Sequence, residues 1–222
     1  MFKSFIDRKT VSEGKLVNEA KQIQLYTALR KELKGTSVIT LVGHASGLQR
    51  HYELFNPFFK HIFVVERCSL LASKLEREAK RKGFLKMTIM HGDFFEVAET
   101  LKNMGKNISC LDFDGVEQIG TNEEKLKRLA KLVDAKIVIN VGSARGQNEA
   151  FKTWCKENNK RRTQEKPSKP LRYELRRLGP EYFKEKAKGY ASVFRLYLGT
   201  TNMWEGVLVK KVFQKQLQEI YV

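Results

Sequence analysis

Five short apolar runs, each followed by a stretch with helical spacing, constrain this chain more than any other feature. They are Val38 to Val42, HIFVVE at 61–66, Met87 to Met90, Ile108 to Phe113 and Lys136 to Val141. Helical periodicity covers Leu48 to Phe55, 68–82 (Leu70, Leu71, Leu75, Ala79), Phe95 to Met104 and Glu123 to Val133, and a further helix runs to about Lys156. Asn56-Pro57, Gly83 and Gly105 punctuate the first three. A β-α rhythm repeated five times demands parallel strands joined by right-handed crossovers. The expectation is an α/β fold, a doubly wound and mostly parallel sheet with helices on both faces. Two more strand-like runs, Ser192 to Leu198 and Gly206 to Phe213, are joined by residues 199–205 and pair as a C-terminal antiparallel hairpin.

Ahead of the first strand, apolar positions recur every three or four residues from Val11 to Leu33 (Leu16, Ala20, Ile23, Tyr26, Leu29, Leu33), and Gly35 stops the pattern. That is a helix whose apolar stripe suits a cover on the sheet and whose other face is rich in Lys and Arg. At 222 residues, a single domain over 1–222 is expected, with 1–35 an N-terminal helical extension and 156–188 a basic insertion. A chain of this size buries roughly 70% of its unfolded surface. Cys68, Cys110 and Cys155 are far apart with no CxxC spacing, so no zinc site or disulfide framework follows and a reducing compartment is expected. No apolar run nears the ~20 residues of a membrane span, and MFKSFIDRKT has no apolar signal core. A cytoplasmic protein is expected, or a nuclear one in a eukaryote.

Lys and Arg number 42 against 25 Asp and Glu, a formal net charge of +17. An excess of this size favours a polyanionic partner, most often nucleic acid, through counterion release and steering. A plain solubility effect is the alternative. From Lys156 the run KENNKRRTQEKPSKP is polar, basic and proline-bearing, which marks a surface loop. Lys160, Arg161 and Arg162 lie in it, and Arg172, Arg176 and Arg177 follow, with Tyr173, Tyr182 and Phe183 nearby. That mixture suits phosphate contacts plus base stacking, beside the alternative of a solvated face. Arg145, in GSARG after the fifth strand, is placed to meet a phosphate or to form a salt bridge.

In doubly wound sheets, ligands sit beyond the carboxyl ends of the strands near the topological switch point. Polar residues stand at each such end here. Gly43 to Gly47 (GHASG) follow the first strand, Glu66 ends the second, Asp93 follows the third in HGD, and Asp112 and Asp114 end the fourth in LDFDG. A carboxylate after the second strand can accept both ribose hydroxyls, and one after the third can meet an adenine edge. This pattern, over roughly Val38 to Phe213, resembles the class I S-adenosylmethionine-dependent methyltransferases. The resemblance implies a seven-stranded sheet closed by the hairpin and S-adenosylmethionine as cofactor. It assigns Gly43, His44, Ala45 and Gly47 to the cofactor loop, Glu66 to the ribose, Asp93 to adenine, and Asp112 to Gly115 to the border of the transferred methyl group. Leu41 stands where the family usually has an acid, and Ala45 where it has the middle glycine.

The methyl acceptor is less sharply marked. The proline pair of amino-directed DNA enzymes is absent after the fourth strand, and Cys110 lacks the preceding proline of cytosine-C5 enzymes and lies inside an apolar strand, a core position. One of Asp112 and Asp114 can hold or deprotonate the nucleophile, as methyl transfer requires; either can instead be a turn or cap residue. His44 and His91 suit loop and strand-end packing, and His51 and His61 read as incidental. The expectation is methyl transfer to nucleic acid, RNA ahead of DNA, with Asp112 and Asp114 catalytic. No metal is expected. Beside it stand a catalytically silent nucleic-acid-binding scaffold and a nicotinamide-dependent oxidoreductase.

Overall fold

Strands with apolar side chains on both faces need cover on both sides of the sheet. In the computed structural model, which describes residues 13–42, 45–113, 138–142, 189–198 and 202–221, that cover is in place. The strands are β1 (Ser37–Leu41), β2 (His61–Glu66), β3 (Met87–His91), β4 (Ile108–Phe113), β5 (Val138–Gly142), β6 (Tyr190–Leu198) and β7 (Asn202–Lys210). They pair in the order β3-β2-β1-β4-β5-β7-β6. The first five neighbours run parallel, whereas β7 runs antiparallel to both β5 and β6.

The helices are α1 (Glu13–Ala28), α2 (Arg30–Leu33), α3 (Leu48–Phe55), α4 (Ser69–Arg81), α5 (Phe94–Asn103) and α6 (Gln214–Tyr221). Side chains alternate across a strand, so the core falls into two layers. Val38, Ile62, Val64 and Cys110 pack with Leu25, Tyr26 and Leu29 of α1, Leu48 and Phe55 of α3, Leu75 of α4 and Leu217 of α6. Their neighbours in sequence, Ile39, Phe63, Val65, Leu111 and Phe113, are buried too. Against Phe113 lie Phe94 and Phe95 of α5, at ring-centroid distances of 5.1 and 5.4 Å. The topology accounts for the split. β1 to β3 step outward and β4 steps back past β1, so a right-handed crossover carries α5 to the opposite face from α3 and α4.

The register of β4 against β1 holds one irregularity. Ser37 pairs with Ile108 but Val38 pairs with Cys110, so Ser109 is an extra residue, a β-bulge. The buried hydroxyl of Thr36 donates to the Leu33 carbonyl at 2.6 Å. Its remaining lone pairs then leave the Ser109 hydroxyl as the donor in the short bond between the two. The bulge sets β4 one residue on, and Asp112 comes opposite Thr40.

Several boundaries differ from the expectation. The preface helix breaks at Leu29 into α1 and α2, and Gly35 turns the chain into β1 at φ 84°. α5 begins at Phe94, one residue early, because Asp93 caps it. The seventh strand was expected from Gly206 to Phe213 and runs from Asn202 to Lys210. Continuing the ladder to the Leu198–Asn202 pair satisfies backbone groups that a loop would leave to solvent. Lys211–Phe213 form a 3-10 turn leading into α6. The helix expected at Glu123 to Val133, the one ending near Lys156 and the basic insertion at 156–188 lie outside the described residues. Among those described, no helix is long and apolar enough to cross a membrane.

Candidate cofactor and acceptor site

The carboxyl ends of β1, β2, β3 and β4 carry the polar residues. Glu66 closes β2, where its backbone carbonyl accepts the Gly92 N–H at 3.0 Å. Its carboxylate Oε1 accepts the Cys68 N–H at 2.7 Å across the turn into α4. Among the described residues that is its one side-chain hydrogen bond, so the carboxylate is oriented and keeps an oxygen for a ligand. Gly92 makes the junction with β3 possible. Its φ of 152° favours glycine, and a Cβ there would lie 3.1 Å from Val97 Cγ2. Asp93 follows in extended conformation and caps α5, with Oδ1 accepting from Phe95 N at 3.0 Å and Glu96 N at 3.4 Å. The two acids thus stand on adjacent strand ends, and Asp93 has a structural duty at the same time.

After β1 the described chain resumes in a 3-10 turn, Ala45–Gly47, that runs straight into α3. Gly47 has a helical φ of −76°, and a Cβ on it would make only an ordinary 3.4 Å contact with Val42. Its place in the loop is therefore not dictated by strain. Gly43 and His44 lie outside the described residues, as do Asp114, Arg145, Lys160, Arg161, Arg162, Arg172, Arg176 and Arg177.

Asp112 is set apart from Glu66 and Asp93. It sits on β4 beside β1, where the strand order reverses, and is 5% exposed. Its Oδ2 accepts the Thr40 hydroxyl at 2.6 Å. Thr40 Oγ1 lies 3.0 Å from His51 Nδ1, and His51 Nδ1 lies 3.9 Å from Asp112 Oδ2. Below this group the Tyr26 hydroxyl and the Cys110 sulfur are 3.7 Å apart. Burial first, and then the nearby Asp112 carboxylate, push the Cys110 thiol well above its ordinary range. Cys110 is a neutral core residue, not a nucleophile. Burial likewise raises Tyr26.

Thr40 and His51 have no place in the motif reading. The available signal was polar interruption of central strands: Thr40 between Ile39 and Leu41, and Asp112 between Leu111 and Phe113.

Solved structures of the same backbone exist. An O-methyltransferase of Bacillus cereus in complex with S-adenosylhomocysteine superposes with a TM-score of 0.53 at 12% identity, over 94% of this chain and 93% of that one. An rRNA methylase of Streptococcus thermophilus gives 0.52 at 9% identity, over 90% and 98%. This is the class I methyltransferase fold. The O-methyltransferase TomG of Streptomyces achromogenes, in complex with S-adenosylmethionine, has it as well, at 0.52 and 13% identity over 86% and 80%. No protein-family model and no curated protein matches the sequence, so the methyltransferase likeness is one of backbone. In that backbone Glu66 and Asp93 occupy successive strand ends on one side of the switch point, and Asp112 lies at the switch point itself.

Proposed function

We propose that the chain is an S-adenosylmethionine-dependent methyltransferase acting on nucleic acid, RNA ahead of DNA. The carrying observation is Glu66: a carboxylate fixed by the Cys68 N–H at 2.7 Å, on the strand next to the switch strand, with an oxygen left for a diol. In this reading Gly43, His44, Ala45 and Gly47 form the cofactor loop, Glu66 takes the ribose and Asp93 the adenine edge. Asp112 and Asp114 stand on the acceptor side. The bound cofactor supplies an electrophilic methyl group on a sulfonium sulfur. The polyanionic acceptor rests on the net charge of +17, and Arg145, Lys160, Arg161, Arg162, Arg172, Arg176 and Arg177 are its phosphate contacts. An rRNA methylase shares the fold, and so do O-methyltransferases. The charge decides between them here.

The test is transfer of tritium from labelled S-adenosylmethionine to separate RNA, DNA and protein pools, alongside calorimetry with S-adenosylhomocysteine. Label in RNA is expected. Nucleic acid bound without any transfer marks a silent scaffold, and tight NADH binding without S-adenosylhomocysteine binding marks an oxidoreductase.

A further inference from the structure

Three side chains from three elements meet at the switch point: Thr40 of β1, His51 of α3 and Asp112 of β4. Proton counting fixes their polarity. An ionised carboxylate only accepts, so the Thr40 hydroxyl gives its single proton to Asp112 at 2.6 Å. The contact to the Leu41 carbonyl, at 3.5 Å, is too long to compete for it. The Thr40 oxygen can then only accept from the ring nitrogen 3.0 Å away, which puts the His51 proton on Nδ1. In the neutral ring Nε2 therefore carries the basic lone pair. Exposure separates the three as well. Thr40 is fully buried, the Asp112 side chain is 7% exposed, and the His51 side chain is 19% exposed. The histidine is the member that a ligand can reach.

We infer that His51 is the proton-accepting residue of this site, with Thr40 and Asp112 as its positioning residues. The inference rests on the methyl-transfer reading above. The acceptor's N–H or O–H bond breaks and its proton forms the Nε2–H bond. The nucleophile's electron pair closes on the methyl carbon, and the C–S pair stays on sulfur. The resulting imidazolium faces the Asp112 carboxylate across 3.9 Å, with Thr40 holding the ring in register. The proton then passes to water. This arrangement gives Asp112 a part in the chemistry without contact to the acceptor, in keeping with its burial.

The first test needs no acceptor. Nitrogen-15 NMR of the imidazole rings, with His51→Gln identifying the resonance among the four histidines, reads the tautomer directly. Nδ1–H is expected in the native protein, lost in Thr40→Val and restored in Thr40→Ser. An Nε2–H ring in the native protein, or one unaffected by Thr40→Val, overturns the assignment. The second test uses tritium transfer from S-adenosylmethionine to bulk RNA. His51→Gln should lower kcat by about a hundredfold or more with S-adenosylhomocysteine affinity unchanged, and a kcat within about threefold of native overturns the assignment. Failure of the native protein to bind S-adenosylhomocysteine removes the methyl-transfer reading and the base together. Binding with the wrong tautomer removes the base alone.

Discussion

Asp93 carries two assignments that make different demands on one carboxyl group. As the cap of α5 it needs only an oxygen within reach of the Phe95 and Glu96 amides, which serine also supplies. As an adenine contact it needs the carboxylate. Asp93→Ser should therefore melt like the native protein yet bind S-adenosylhomocysteine roughly tenfold more weakly, the loss of a hydrogen bond to a charged group. Asp93→Ala should lose both that affinity and about 1 kcal/mol of stability. Calorimetry and thermal melts separate the two, and full affinity in Asp93→Ser would leave Asp93 a cap alone. Glu66 makes no such compromise, because its bond to the Cys68 amide holds only Oε1. These two acids were legible in the sequence because each sits at the end of an apolar run. His51 was not. Its partners lie 11 residues away at Thr40 and, through Thr40, at Asp112, and helical spacing around Leu48 to Phe55 marks it only as a polar position.

At the scale of elements, the Ser109 bulge decides which face Asp112 occupies. Without the extra residue Leu111 would stand opposite Thr40, and Asp112 would be shifted to the α5 side. The hydroxyl pair of Ser109 and Thr36 sits at the start of the shift. Ser109→Ala leaves the buried Thr36 oxygen without its donor and should cost about 1–2 kcal/mol in urea melts. Ser109→Thr keeps the hydroxyl and should recover part of that loss, whereas equal stability in Ser109→Ala would show the pair to be idle. Strands β2 and β4 were legible to the residue, because burial on both faces writes a continuous apolar run. The bulge was not, since register is a relation between two strands that neither encodes alone. The same reason hid the start of β7, whose ladder with β6 begins at Asn202. The break at Leu29 escaped notice because the apolar spacing runs through it unchanged.

Across the whole molecule, the helical preface is part of the core. Tyr26 of α1 packs among Phe55, Phe58 and Phe59 and reaches Cys110 of β4. Burial raises both the phenol and the thiol above their ordinary values of 10.0 and 9.0. The folded state then holds these protons more tightly than the unfolded chain does. Stability from this source is complete below about pH 9 and drains away as pH rises beyond it. The melting temperature should fall between about pH 9 and about pH 11, and Tyr26→Phe should flatten the upper part of that fall. An identical alkaline slope in Tyr26→Phe would exclude the phenol as its source. α1 has a second late partner. Leu217 and Tyr221 of α6 belong to the same core cluster as Leu25 and Leu29, and Lys21 lies over the Tyr221 ring at 5.4 Å. A ribosome delivers α1 before any other described helix and α6 after all of them. Throughout that interval the apolar stripe of α1 has no lid, and the nascent chain carries it exposed for nearly its whole synthesis. The helix made first is the one finished last, which makes it the natural hold for a chaperone on the growing chain.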